Sequence, residues 1–167
     1  AETTTREIAM AASIAEGTIY RYFPSKEQLA FDMFLRHHRA LAEALDEAQR
    51  PHEGLRARID AIVLCYCTWA YRDWTLFAYH LLNQHTFLAK VPDDAPNPVN
   101  VVREVIGHAM AAGEIPWRDP DLAAAAAIGV VMQAATYKVY GRFEGPLSDH
   151  VRFFADAAWA VLAVTAR

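Results

Sequence analysis

The chain has few cysteines and no long apolar run. The first absence argues against disulfide-linked and cysteine-metal proteins, and the second argues against membrane-spanning proteins. Its only cysteines are Cys65 and Cys67, two positions apart. On a helix such side chains point in different directions, so we expect neither a disulfide nor a shared metal. Buried free thiols in a reducing cytoplasm are expected instead. No apolar run reaches the roughly 18 residues of a spanning helix, so we also expect no membrane partner and no signal peptide.

The sequence also lacks the motifs of common enzyme chemistry. G-x-S-x-G, H-E-x-x-H, the P-loop and the dinucleotide fingerprint do not occur. His80 and His85 stand at a poor spacing for a metal, and the neighbours His37 and His38 should face different directions. We therefore expect no catalytic residue, no metal, no cofactor and no enzyme activity.

No segment has a strand pattern, and apolar residues recur at helical spacing instead. Apolar residues make up 54% of the chain and charged residues 22%, which indicates a globular protein. The fold class predicted is all-α. The predicted helices cover residues 25–49, 53–71, 74–87, 99–112, 121–140 and 148–165, with a proline-rich loop over 91–98.

Residues 8–26, IAMAASIAEGTIYRYFPSK, have the pattern of a helix-turn-helix. Thr4 and Glu7 form a T-x-x-E capping box that predicts a helix start at Thr4. Pro24 should end the second helix, because the residue before a proline avoids helical geometry. The side chains expected to pack inward are Ile8, Ile14, Ile19 and Phe23.

The second short helix is where we expect contact with DNA, since this helix of the motif enters the major groove. Ser25 and Gln28 predict a capping box for the next helix, and Lys26 at its N-terminus suits a phosphate. Thr18 and Arg21 should lie nearest the bases. The candidate DNA-binding residues are Thr4, Gly17, Thr18, Tyr20, Arg21, Tyr22 and Lys26.

The run GTIYRYFPSKEQL, residues 17–29, resembles the TetR family of bacterial transcriptional repressors. In the turn, where the family has Gly, a small apolar residue and Ser, this chain has Ser13, Ile14 and Ala15. Ser13 carries a steric cost if its φ is positive, and Ala15 cannot cap the second helix. By this resemblance, residues 1–36 are a helix-turn-helix DNA-binding domain that lacks the family's first helix. Residues 37–167 are then a helical ligand-binding and dimerisation domain.

The charge balance gives the DNA hypothesis no support. The formal net charge is −4, from 16 Lys and Arg against 20 Asp and Glu. Basic and acidic side chains balance within residues 1–39, whereas a DNA-binding domain is normally basic.

Aromatic residues cluster in the middle of the chain, as the walls of a small-molecule pocket would. The alternative is that they simply fill a core, and the pocket is implied mainly by the TetR resemblance. Because residues 55–87 contain no cluster of Lys or Arg, the effector should be hydrophobic or aromatic with one or two polar atoms. The candidate ligand-binding residues are Tyr66, Trp69, Phe77, His80, Met132 and Tyr137.

The last helix is apolar nearly all round, so it must be covered on most sides. One stripe should face its own core and the other a partner, unless the helix lies at the centre of a monomer. A second apolar stripe comprises Phe153, Ala157, Val161 and Val164. The residues expected at a dimer interface are Ile128, Val151, Phe154, Ala155, Ala158, Trp159 and Leu162. The resemblance implies that the last two helices of each subunit form a four-helix bundle.

These features predict a TetR-like one-component repressor that binds a palindromic operator in double-stranded DNA as a homodimer. A small hydrophobic ligand would release it. One alternative is an all-α small-molecule-binding protein or enzyme in which the helix-turn-helix is only scaffold. Another is a pure dimerisation or adaptor module, which predicts no internal cavity.

Overall fold

The computed structural model describes residues 3–164, and within that range the regular secondary structure is helical. This confirms the all-α prediction. Short 3₁₀ turns cover Leu88–Lys90 and Leu147–His150. The α-helices are α1 Thr5–Ala11, α2 Glu16–Tyr22, α3 Lys26–Gln49, α4 Leu55–Arg72, α5 Trp74–Leu82, α6 Gln84–Phe87, α7 Pro98–Ala111, α8 Pro120–Val139 and α9 Val151–Ala163.

The chain divides into two compact units, Ala1–Arg36 and His37–Arg167. The first unit contains α1, α2 and the start of α3. The second contains the rest of α3 and the helices from α4 to α9. Helix α3 is therefore the segment of chain that the two units share.

Capping side chains set the first helix starts. The Thr4 hydroxyl accepts from the Glu7 N–H at 3.2 Å, and a Glu7 carboxylate oxygen accepts from the Thr4 N–H at 2.7 Å, as predicted. The second predicted box is only half formed. The Ser25 hydroxyl accepts from the Gln28 N–H at 3.1 Å, but the Gln28 amide donates to Asp32 at 2.7 Å instead of reaching back.

Helices in the middle and at the end differ from the prediction. The helix predicted over 74–87 is interrupted at Asn83, whose side-chain amide donates to the carbonyl of Tyr79 at 2.8 Å. Such a local bond competes with the helical backbone pattern. Helix α7 starts one residue early at Pro98, because Asn97 caps it by accepting from the Val99 N–H at 2.9 Å. The predicted end of the last helix, Thr165, lies outside the described residues.

The core of the second unit is built from α4, α7, α8 and α9, with contributions from α3 and α5. Two side chains form long-range hydrogen bonds that fix helix ends around it. Glu114 accepts from the Leu55 N–H at 2.6 Å and so caps the start of α4 after Gly54, whose φ of +74° suits glycine. Arg118 donates to the carbonyls of Val161 and Leu162, each at 3.4 Å, at the end of α9.

Helix α8 is largely apolar, with a mean hydropathy of 1.4 over its best 18-residue window, and its charged residues are Asp121 and Lys138. By length and composition it could cross a membrane. In the fold it packs against α7 and α9 and contributes Ala127, Val131 and Ala135 to the core. A core helix passes the same test, so α8 is weak evidence for a membrane segment.

Candidate functional site

In the first unit, α1 and α2 are held together by a small polar network. The Thr5 hydroxyl donates to a carboxylate oxygen of Glu16 at 2.8 Å and lies 2.9 Å from the Tyr20 hydroxyl. Ala9 on α1 and Ile19 on α2 are buried. The two helices are thus positioned both by apolar contact and by side-chain hydrogen bonds that cross between them.

The turn between these helices has the strain that its sequence implies. Ser13 has a φ of 56°, in the left-handed region that favours glycine. Ala15 stands at the start of α2 and provides no side-chain cap. The expectation that Ile14 packs inward is wrong, because 44% of its surface is exposed. Two seven-residue helices offer too little apolar surface to cover the turn.

The outward side chains of α2 make a polar, partly aromatic face. Tyr20 and Tyr22 are half or more exposed, and the Arg21 guanidinium donates to the Tyr22 hydroxyl at 3.0 Å. The Lys26 ammonium, half-buried at the start of α3, donates to the Thr3 carbonyl at 3.0 Å. Of the other candidates, Thr4 and Gly17 are exposed and Thr18 is half-buried. The DNA-contact role of this set stays a prediction.

The second unit contains a partly enclosed cavity of about 250 Å³ lined by residues from each helix from α3 to α9. Its walls are chiefly aliphatic, and the polar side chains that line it are His38, Tyr66, His80 and Gln84. No Asp, Glu, Lys or Arg belongs to this lining within the described part of the chain. The aliphatic lining includes Leu41, Leu45, Ile59, Val63, Val102 and Val131.

Three buried histidines meet beside this cavity. His38 Nδ1 and His80 Nε2 are 3.2 Å apart and share a hydrogen bond. The rings of His37 and His80 lie 4.7 Å apart, centroid to centroid. The Trp69 indole donates to His37 Nε2 at 2.9 Å. The cluster therefore joins α3 to both α4 and α5.

Burial disfavours the charged form of these imidazoles. It lowers the pKa of His80 to about 3, and proximity to His37 and His38 adds to the effect. It also lowers the pKa of His37, against an opposing influence of Asp73, and the pKa of His38. In residues 3–164 no group of three or more His, Cys, Asp or Glu side chains is arranged to hold a metal ion.

Sequence reasoning found only part of this cavity. Tyr66, His80 and Met132 line it, whereas Trp69, Phe77 and Tyr137 do not. Phe77 is buried in the core, and Tyr137 is largely exposed. The aromatic walls expected from the sequence are aliphatic here, because the aromatic rings pack on one another or on the histidines.

The histidines of α3 were missed although their spacing carried a signal. Phe34, His37, His38, Leu41 and Leu45 follow the helical repeat of one buried face, and all are buried. A histidine on such a stripe is directed into the interior. The sequence predicted that the adjacent His37 and His38 face different directions, but both of them approach His80.

A second, larger space is an open groove of about 760 Å³ along α3, α4 and α9. Charged side chains stand around it, among them Asp60, Arg72 and Arg152. The smaller cavity is the better candidate for a ligand, because a small-molecule site is concave, mostly apolar and encloses most of its ligand.

The first apolar stripe of α9 lies mainly against the core of its own chain. Phe154, Ala155, Ala158 and Leu162 are buried in the core of their own chain, and Val151 and Trp159 are half-buried. Four of the residues predicted for a dimer interface are thus covered by their own chain, whereas Val151 and Trp159 remain partly exposed. Ala158 and Ile128 also line the cavity.

The second stripe of α9 is partly uncovered, with Ala157 and Val161 half-buried. Phe153 is 69% exposed, and Val164 is also exposed. On the neighbouring α8, Leu122, Ala125 and Ala126 are exposed too. We call these five exposed residues the α8–α9 face. Exposed large apolar side chains such as Phe153 and Leu122 are candidates for a protein interface.

Residues 1–33 match the profile of the family described as "Bacterial regulatory proteins, tetR family". The N-terminal segment of the chain is therefore similar to that of tetR-family regulators. No curated protein is similar enough in sequence to match it.

Solved structures resemble the chain over nearly its whole length. FadR, a fatty acid degradation regulator from Bacillus halodurans, has 19% identity over 94% of this chain and 84% of that chain, with a TM-score of 0.84. A tetR-family regulatory protein from Rhodococcus RHA1 has 20% identity over 98% and 88%, with a TM-score of 0.80. Bacillus subtilis FadR, in complex with stearoyl-CoA, has 17% identity over 98% and 89%, with a TM-score of 0.78. At such identities the similarity establishes the fold.

Proposed function

We propose that this chain is a cytoplasmic one-component transcriptional repressor rather than an enzyme. It binds a palindromic operator as a homodimer and releases it when a small, mostly apolar molecule occupies the cavity. The observation that carries this proposal is the combination of two features in one chain. Residues 1–33 match a bacterial regulatory family, and the second unit encloses an apolar cavity.

The DNA-binding part of the proposal is supported by the surface of α2. Arg21, Tyr20 and Tyr22 are exposed there, and hydroxyl and guanidinium groups suit phosphate and base contacts. A two-fold dimer would repeat this helix at about one turn of DNA, which matches a palindrome.

The ligand-release part is supported by the chain connection between the units. His38 lines the cavity and lies on α3, and α3 begins at Lys26 in the DNA-binding unit. A ligand that binds more tightly to one position of α3 than to another shifts α3 towards that position. The affinity for DNA then changes by the difference between the two binding free energies of the ligand. Since Bacillus subtilis FadR was solved with stearoyl-CoA, fatty-acyl compounds are an obvious first class to test.

The dimer part is supported by the α8–α9 face, which leaves Phe153, Leu122 and Val164 in solvent when the chain is alone. A second copy of the chain would cover these side chains, and a stable interface of this type buries on the order of 2,000 Å².

Two alternatives predict different results. A pure adaptor module predicts no internal cavity, and the cavity of about 250 Å³ argues against it. A small-molecule-binding protein or enzyme with the helix-turn-helix as scaffold predicts ligand binding without DNA binding. A mobility-shift assay of the full chain with DNA from upstream of its own gene separates this alternative from the repressor. A specific shift supports the repressor, and no shift beyond that of unrelated DNA overturns it.

A further inference from the structure

A separate pocket lies in the second unit among the end of α3, the start of α4 and one face of α7. It is partly open, has a volume of about 270 Å³, and shares no lining residue with the cavity in the described part of the chain. Most of its lining is polar, so we call it the polar pocket. Its lining residues are Asp46, Gln49, Arg50, Arg58, Val101, Glu104, Val105 and His108.

Gln49 is the most buried polar side chain of the polar pocket, with 7% of its surface exposed. Its amide nitrogen donates to Asp46 at 3.0 Å. Because a carboxylate oxygen accepts hydrogen bonds, this bond fixes which end of the amide is the nitrogen. The other end, Oε1, is buried and has no hydrogen-bond partner among the described residues. A buried acceptor without a donor is costly, so a ligand with an N–H or O–H group would be stabilised there.

The four charged side chains of the polar pocket divide into one ion pair and two groups without a charged partner. Arg50 donates to Asp46, and the two charges neutralise each other. Arg58 donates through Nε to the carbonyl of His52 at 3.0 Å, and this bond leaves its two terminal nitrogens for another acceptor. Within residues 3–164 neither Arg58 nor Glu104 forms an ion pair, although both line this pocket.

This arrangement is complementary to a small molecule that carries both charges. A guanidinium binds a carboxylate through two parallel N–H donors. The carboxylate of Glu104 and Oε1 of Gln49 are acceptors, and an ammonium group offers only donors. A ligand with a single charge would gain the contact with Arg58 or the contact with Glu104, but not both. Val105, which is buried, and Val101, which is half-buried, provide an apolar wall for a short aliphatic group.

We propose that the polar pocket binds a small aliphatic zwitterion of the α-amino acid class. Its carboxylate binds Arg58, and its ammonium group donates to Oε1 of Gln49 and to Glu104. Its side chain lies against Val101 and Val105. Because Gln49 is the last residue of α3 and Glu104 lies on α7, the bound molecule connects these two helices. The site is additional to the cavity and does not depend on the proposed repressor function.

The test is an NMR titration of the full chain near pH 7.5 with three probes that share an isopropyl group. L-valine has both charged groups, 3-methylbutanoate lacks the ammonium group, and 2-methylpropylamine lacks the carboxylate. We expect L-valine to bind with a Kd of about 1 mM or below, and at least about tenfold more tightly than either analogue, because each analogue loses one charge-assisted contact. Equal or tighter binding of an analogue, or no binding of L-valine, overturns the inference.

Charge-removing variants assign the two ends of the ligand. Arg58→Gln should reduce the preference for L-valine over 2-methylpropylamine to less than about threefold, because the carboxylate then has no cation to bind. Arg58→Lys keeps the charge and should restore part of that preference. Glu104→Gln should likewise reduce the preference for L-valine over 3-methylbutanoate. Glu104 is exposed, so its substitution keeps the test decisive even where Arg58→Gln fails to fold. An unchanged preference in Glu104→Gln overturns the inference.

Two further variants locate the buried contact. Gln49→Met keeps the length of the side chain but removes the acceptor, and should weaken L-valine binding by about threefold to tenfold, the effect of one lost hydrogen bond. Glu43→Gln, at an exposed position of α3 outside the lining, is the matched control and should bind as the unmodified chain does. Ala127→Leu changes the cavity and should also leave L-valine binding unchanged. Loss of binding in Ala127→Leu would place L-valine in the cavity and overturn the inference.

Discussion

The indole N–H of Trp69 on α4 donates to Nε2 of His37 on α3 at 2.9 Å. His37 can accept this bond only when Nε2 carries no proton, so the bond requires the neutral ring with its proton on Nδ1. His37 Nδ1 is buried and has no hydrogen-bond partner among the described residues. The Trp69 bond is therefore the one that holds His37 in position.

The first prediction concerns that bond. Trp69→Phe removes the donor and leaves Nε2 of a buried histidine unsatisfied, so the free energy of unfolding should fall by about 1–3 kcal/mol. Urea denaturation measures it, with Trp117→Phe as the control at a 73% exposed position. A double-mutant cycle with His37→Phe should give a coupling energy clearly above zero. Additive effects would show that the bond contributes nothing.

The second prediction concerns pH. Folding lowers the pKa of His80 from the ordinary 6.5 to about 3. Below pH 6.5 the unfolded chain takes up a proton that the folded chain does not, so stability is full above that pH and is lost as the pH falls. For one such imidazole the loss near pH 5 is about 2 kcal/mol.

The pH effect has a clear control. His80→Gln should flatten the profile of unfolding free energy between about pH 7 and pH 5. His37 and His38 still contribute, with Asp73 opposing the shift of His37. A profile with the same slope in His80→Gln and in the unmodified chain contradicts the account.

The third prediction concerns the cavity. Ala127→Leu adds side-chain volume to a residue that lines the cavity, so the leucine should occupy existing space with little change in stability. Ala135→Leu adds the same volume on the same helix at a fully buried position outside the lining. It should cost about 1–3 kcal/mol by overpacking. Equal destabilisation by both substitutions would indicate that no usable space exists at Ala127.

The fourth prediction concerns assembly. Phe153→Glu places a charge on the α8–α9 face and should yield a folded monomer with the helical circular dichroism of the unmodified chain. Ala158→Glu buries a charge in the core and should unfold the chain instead. Sedimentation velocity at micromolar concentration distinguishes a folded monomer from a dimer and from an unfolded chain. A Phe153→Glu chain that remains dimeric, or an unmodified chain that is monomeric, rules out this face.

The fifth prediction concerns phosphate contact. Lys26→Ala should weaken binding to all DNA sequences alike and reduce the slope of log affinity against log salt by about one unit. Its control is Lys90→Ala, in the 3₁₀ turn of the second unit, which should leave the slope unchanged. An unaltered slope in Lys26→Ala means that this side chain does not neutralise a phosphate.

The sequence predicts local features of this fold better than long-range ones. Capping by Thr4 and Glu7 depends on residues three apart, and the structure confirms it. The break at Asn83 depends on a side chain competing with the backbone, which periodicity does not register.

The choice between the two stripes of α9 depends on tertiary packing, which the sequence alone does not determine. Phe153 and Phe154 are adjacent and equally apolar, yet one is exposed and the other buried. The contact between His38 and His80 likewise joins residues 42 positions apart, so no local pattern predicts it.

The most direct test of the central claim is the affinity of the full chain for a labelled duplex from upstream of its own gene. A shuffled duplex of the same length and composition is the reference, and both are followed by fluorescence anisotropy at physiological salt. The account predicts a preference for the upstream duplex of about a thousandfold or more. It also predicts that this preference falls when the cavity ligand is added. Equal affinity for the two duplexes would contradict it.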